Sequence, residues 1–163
     1  MSFACRAPVP ARQRGAMRRK AVSDMMTTNK MNSTPDDVKR EVTEAFGFVP
    51  SFLQAIPPAE QRLWWSAIRD FQLSDKTALS NKVKELIGLG VSSQIPCSYC
   101  VLFHTEAARL NGASEQEIQE AVFMAGVTRL GSTILNGAQI SHETFDKELR
   151  DIVAYAKKQA KAA

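Results

Sequence analysis

From residue 34 onward the apolar residues recur at three- and four-residue spacing between helix start and stop signals, and no stretch shows the strict alternation of a half-buried strand. This pattern predicts an all-α fold. Thr34-Pro35-Asp36-Asp37 opens the first helix with a hydroxyl N-cap, Pro at the first helical position and acids facing the positive end of the helix dipole. That helix is expected to reach about Phe46, where Gly47 supplies a stop. "FGFVPSFLQAIPP" then reads as a turn, a short apolar helix and a break at Pro57-Pro58. Leu63, Trp64, Ala67, Ile68 and Phe71 recur at helical spacing between Ala59 and about Leu73, with both tryptophans as core or subunit-interface anchors.

Residues 78–93 form the next helix, and the apolar or Gly residues at every position from 86 to 91 predict burial on most faces. Glu85 opens that segment, so its carboxylate is expected to be partly buried and to need a partner. A following helix runs from near Cys97 to Asn111-Gly112. Ser114-Glu115-Gln116-Glu117 is a capping box, with Ile118, Ala121, Val122 and Ala125 as the inner stripe of the helix it opens. "GVTRLGSTILNGAQI" predicts a further buried helix. A last helix, from about His142 to Lys158, is expected to turn Phe145, Leu149, Ile152, Val153 and Ala156 inward.

A chain of 163 residues that is 44% apolar has room for one domain with a real core. The expected organisation is a disordered basic arm over 1–33 and one all-helical domain over 34–163. Residues 1–30 carry seven Lys and Arg against one acid, whereas 31–163 carry fourteen against sixteen, so the net +4 belongs to the arm. The folded part therefore offers no electrostatic reason to expect nucleic acid. The arm has no apolar run long enough for a signal-peptide core or a membrane span, and no membrane partner is expected. It loosely resembles an organelle transit peptide; a flexible extension, or an over-extended start with Met25, Met26 and Met31 as alternatives, is the preferred reading.

Three cysteines, two of them three residues apart, do not form the even, scattered framework of a secreted disulfide scaffold. A reducing compartment, the cytoplasm, is expected. On a helix, positions 97, 100 and 104 fall within roughly a 60° sector, so both thiols and the imidazole of "PCSYCVLFH" can share one face. Val101, Ala107 and Ala108 extend that face as a packing surface. A thiolate is the reactive form of cysteine, and it is favoured by a helix N-terminus, which argues for Cys97, or by a nearby His, which argues for Cys100 beside His104. Zinc is the rival reading, with Cys97, Cys100 and His104 joined by Glu85 or His142. Against it, no second separated ligand pair follows, and His142 reads as a cap or surface residue. Tyr99 reads as packing, with an auxiliary role at the site as the alternative.

Glu85, eleven residues, Cys97, two residues, Cys100, three residues and His104, flanked by "KELIGLGVSS" and "HTEAARLNGASEQEIQEAV", closely resemble the pattern of the alkylhydroperoxidase D-like (AhpD-like) branch of the carboxymuconolactone decarboxylase family. The similarity covers about residues 34–158. It implies an all-helical, AhpD-like fold assembled as homo-trimers or homo-hexamers, with the site near subunit contacts, and a thiol-dependent peroxidase of antioxidant type. It also implies roles: Cys100 attacks and becomes a sulfenic acid, Cys97 completes the disulfide, and Glu85 and His104 relay protons. Tyr99 stands where some relatives carry a second His. The decarboxylase members lack the cysteine pair. The implied partners are a hydroperoxide substrate and an external dithiol reductant, a lipoyl protein or a thioredoxin-like protein. No flavin, nicotinamide or haem motif is present, so neither cofactor nor metal is expected in the peroxidase reading. The alternatives are a disulfide oxidoreductase with little peroxidase activity and a non-catalytic zinc module.

Overall fold

Thr34 starts the first helix by a reciprocal cap: its hydroxyl accepts from the Asp37 N–H at 3.2 Å, and the Asp37 carboxylate accepts from the Thr34 N–H at 2.8 Å. The computed structural model describes residues 34–161, and the arm expected over 1–33 lies outside them. Helix α1 spans Pro35–Phe46 and stops at Gly47, whose φ of 81° is a left-handed conformation that glycine adopts without Cβ strain. A 3₁₀ turn over Ser51–Ala55 follows, then α2 over Gln61–Ala67, which widens into a π turn over Ile68–Gln72. After these come α3 (Asn81–Gln94), α4 (Ser98–Leu110), α5 (Glu115–Gly137) and α6 (His142–Ala160). No strand occurs among the described residues, and the fold is all-α. None of their helices is long and apolar enough to cross a membrane.

The chain divides into two compact units between Ser74 and Asp75. In the first, Val38 and Val42 of α1 bury against Leu53 and Trp65, with Phe46, Ile56 and Trp64 around them. Trp65 is the core anchor expected of it, and its indole meets the Phe46 ring edge-on at 5.6 Å between centroids. The indole N–H donates to the Glu41 carboxylate at 2.8 Å, which also accepts from Arg62 at 2.9 Å and from Arg69. The Arg62 hydrogen bond foremost, then Trp65, holds the Glu41 carboxyl below the usual glutamate range against the opposing effect of burial.

In the second unit α3 packs against α4 and α5, and Leu89, Ala108 and Ile118 form the core. Lys82 of α3 donates to Glu117 of α5 at 2.7 Å, and this bond, ahead of the capping bond from Ser114, lowers the Glu117 pKa. Three expectations need correction here. Residues 86–91 are not buried on most faces, because Leu89 points into the core while Ile87 and Val91 are about half exposed. "GVTRLGSTILNGAQI" is not a separate buried helix: α5 runs through Gly126 and Gly131, since a lone Gly weakens a helix without removing its backbone hydrogen bonds. Leu130 and Ile134 on that half are exposed, and so are Phe145, Leu149, Ile152 and Val153 of α6, which the sequence pattern turned inward. Periodicity identifies an apolar face but not what covers it.

Candidate active site

The link between α3 and α4 is three residues long, Ile95-Pro96-Cys97. Pro96 lacks an N–H and cannot continue α3. The Cys97 N–H instead reaches back to the Ser92 carbonyl at 3.1 Å, which ties Cys97 to the last turn of α3. Cys97 itself is extended, with φ −101° and ψ 95°, and serves as the N-cap of α4. Its sulfur accepts from the Cys100 N–H at 3.3 Å, taking the place a Ser or Asp oxygen fills in most helix starts. The helical sector drawn for residue 97 therefore does not apply, although Cys100 and His104 do lie one turn apart on α4. Cys97 and Cys100 are joined as a disulfide, with 5.3 Å between their Cα atoms.

Glu85 lies in the second turn of α3 and is 1% exposed. Its Oε2 lies 2.6 Å from His104 Nδ1 across the α3–α4 interface. An ionised Glu85 accepts from Nδ1–H, and this tautomer leaves the Nε2 lone pair free to take a proton. The ring is partly buried and lies flat against the Cα of Gly88, one turn along α3 from Glu85. A Cβ built there would fall 2.5 Å from Nδ1 and 2.7 Å from Nε2.

A cleft of about 500 Å³ opens beside the disulfide, lined by Pro96, Cys97, Val101, Leu102, Thr105 and Arg109 among others. Cys97 is on its wall, whereas Cys100, Glu85 and His104 are not. Arg109 is pushed still higher in pKa by Glu115 and Glu106, so the far end of the cleft carries a paired, permanent charge. A second, apolar groove of about 520 Å³ between α3 and α5, bordered by Val83, Ile87, Val91 and Met124, does not reach the cysteines.

The structure thus unites Glu85 with His104 and Cys97 with Cys100, both pairs meeting on α4. Tyr99 is 87% exposed, which corrects the packing role read for it. Being the second residue of α4, it projects from the first turn with no core beside it. His142 is the exposed first residue of α6, and Ser141 is the cap. Among the described residues no group of three or more His, Cys, Asp and Glu side chains is arranged to hold a metal ion. Sequence reasoning missed two residues: Gly88, whose only signal was a Gly three positions after Glu85, and the capping role of Cys97, whose signal was Pro96 immediately before it.

The family model for the carboxymuconolactone decarboxylase family matches residues 62–143, half of the chain, and the chain belongs to that family. It falls in the AhpD-like branch. The crystal structure of the alkylhydroperoxidase AhpD core from Rhodospirillum rubrum is similar, with a TM-score of 0.60 and 25% identity over 76% of this chain and 90% of that one. A curated relative, the uncharacterized protein 4 in cox locus of Paracoccus denitrificans, is 34% identical over 55 residues, or 34% of this chain. The match spans 50% of that relative's length.

Proposed function

We propose that the protein is a thiol-dependent peroxidase that reduces hydroperoxides through the Cys97–Cys100 dithiol/disulfide cycle. The observation that carries this reading is a helix which begins at a disulfide and, one turn later, bears an imidazole bonded to a buried carboxylate. In the reduced protein His104 takes the Cys100 thiol proton at Nε2, while Glu85 stabilises the imidazolium through Nδ1–H. The Cys100 thiolate attacks the outer oxygen of ROOH; the O–O bond breaks, and the leaving RO⁻ takes the proton from His104 to become ROH. Cys100 is then a sulfenic acid. Condensation with the Cys97 thiol forms the S–S bond and releases water. An external dithiol returns two electrons and two protons, becoming a disulfide itself.

A paired base can both remove and return a proton, whereas the helix terminus at Cys97 only biases a pKa, so Cys100 is the attacking sulfur. The terminus gives Cys97 a different part. A sulfur that accepts a backbone N–H is the better leaving thiolate when the disulfide is opened.

The cleft at Cys97 favours a second reading, disulfide exchange with little peroxide activity, because it gives a partner protein access to the disulfide. Both readings are separated by counting free thiols in the reduced chain before and after one equivalent of cumene hydroperoxide, with zinc assayed on the same sample. Loss of two thiols within seconds, restored by dithiol and absent in Cys100→Ser, is the expected result. Thiols inert to peroxide overturn the peroxidase reading in favour of exchange, and one zinc per chain overturns both.

The homo-oligomer implied by the resemblance is proposed with this function. Second copies of the chain cover Leu130, Ile134, Leu149 and Ile152, since so many exposed large apolar residues are unusual for a monomer. Sedimentation at a trimeric or hexameric mass is expected, and a monomer at micromolar concentration would refute it.

A further inference from the structure

We infer that Gly88 is a positioning residue for His104: the imidazole lies where a side chain at 88 would begin, so a Cβ there would push the ring from its place beside Glu85. The inference rests on the reaction proposed above for its functional meaning, but its geometry is independent of it. Gly88 is in the middle of α3, where Gly weakens a helix relative to Ala, so helix formation gives no reason for its presence. Its φ is ordinary helical, so no turn demands it either. What distinguishes the position is the neighbour. Ring atoms Nδ1 and Nε2 lie 2.5 and 2.7 Å from the place a Cβ would occupy, and Cε1 lies closer still.

Gly90 on the same helix provides the contrast. A Cβ there would meet the Ala121 carbonyl oxygen at 3.7 Å and the Ala125 methyl at 3.8 Å, both ordinary packing distances. A methyl at 88 therefore forces a choice between moving the α3 backbone, which Leu89 anchors in the core, and moving the ring. The ring is the softer element. Its displacement breaks the 2.6 Å bond to Glu85.

The test compares Gly88→Ala with Gly90→Ala in the full chain, reading peroxide-driven thiol loss, thermal melting and, at one fixed pH, the NMR chemical shifts of the His104 ring nitrogens, which report the hydrogen bond at Nδ1. Gly90→Ala is expected to react at the wild-type rate and to melt no lower than wild type. Gly88→Ala is expected to react roughly 100-fold more slowly, as befits a misplaced base. Its His104 ring-nitrogen shifts should also change, as Nδ1 loses the carboxylate partner. In a His104→Ala background, Gly88→Ala should cost nothing further in rate and should melt no lower than the single His104→Ala variant, because the ring that clashed is gone. Unchanged His104 ring-nitrogen shifts in Gly88→Ala, or an equal loss of rate or melting temperature with and without the imidazole, overturn the inference. If the wild-type thiols prove inert to peroxide, the proposed function fails, while the ring-nitrogen shifts and the melting cycle still decide the role of Gly88.

Discussion

Glu41 in the first unit and Glu85 in the second are both helical carboxylates drawn in among apolar side chains, yet their partners differ in kind. Glu41 accepts from two guanidinium groups and an indole N–H, none of which gives up its proton near neutrality. Glu85 faces an imidazole, a side chain that can both take and give a proton. The first arrangement fixes a charge. The second, in the reaction proposed above, lets a proton travel, so the comparison sets a carboxylate that holds helices together against one proposed to serve chemistry.

Substituting the two in parallel sharpens the contrast. Glu85→Gln keeps the shape of the side chain but removes the charge that supports an imidazolium, and the rate of peroxide-driven thiol loss should fall by about 100-fold. Stopped-flow thiol titration checks this, and a wild-type rate in the variant would erase the distinction. Glu41→Gln should leave that rate alone and instead lower the stability of the first unit by roughly 1–3 kcal/mol, since Arg62 and Arg69 lose a charged acceptor. Urea unfolding followed by Trp65 fluorescence reads it; equal midpoints would mean that the network is ornamental to the fold. A smaller effect concerns acid. Because the Glu41 pKa is depressed in the folded chain, its contribution is present above the ordinary glutamate range and is lost as the pH falls through and below it. The wild type should therefore lose stability over that acid range more steeply than Glu41→Gln.

How far these features can be read in advance depends on whether the cause is local. The caps at Thr34, Ser114 and Gly47, and the break at Pro57-Pro58, are decided by a few neighbouring residues and are legible from the chain alone. The pairings of Glu85 with His104 and of Cys97 with Cys100 are legible too, because helical geometry and a short link convert their spacing into proximity. Burial is not local. Ile87, Val91, Leu149 and Ile152 have the periodicity of core residues, but whether such a stripe meets this chain or another is decided by elements distant in sequence. Gly88 escapes notice for a related reason: a glycine in a helix carries no sign of what lies against it. The partners of Glu41 likewise come from the next helix, at residues 62, 65 and 69, a pairing that no spacing rule anticipates.

The tie between the Cys97 N–H and the Ser92 carbonyl makes the segment from Glu85 to Cys97 a ruler without slack. Adding or removing one residue within α3 would turn everything beyond the change by about 100°, which would swing either the carboxylate or the start of α4 out of register. Length variation should thus be barred between these two residues while the loops before Asn81 and after Leu110 remain free to change. A recognition pattern with a fixed gap of eleven residues is the trace that such a ruler leaves in a sequence.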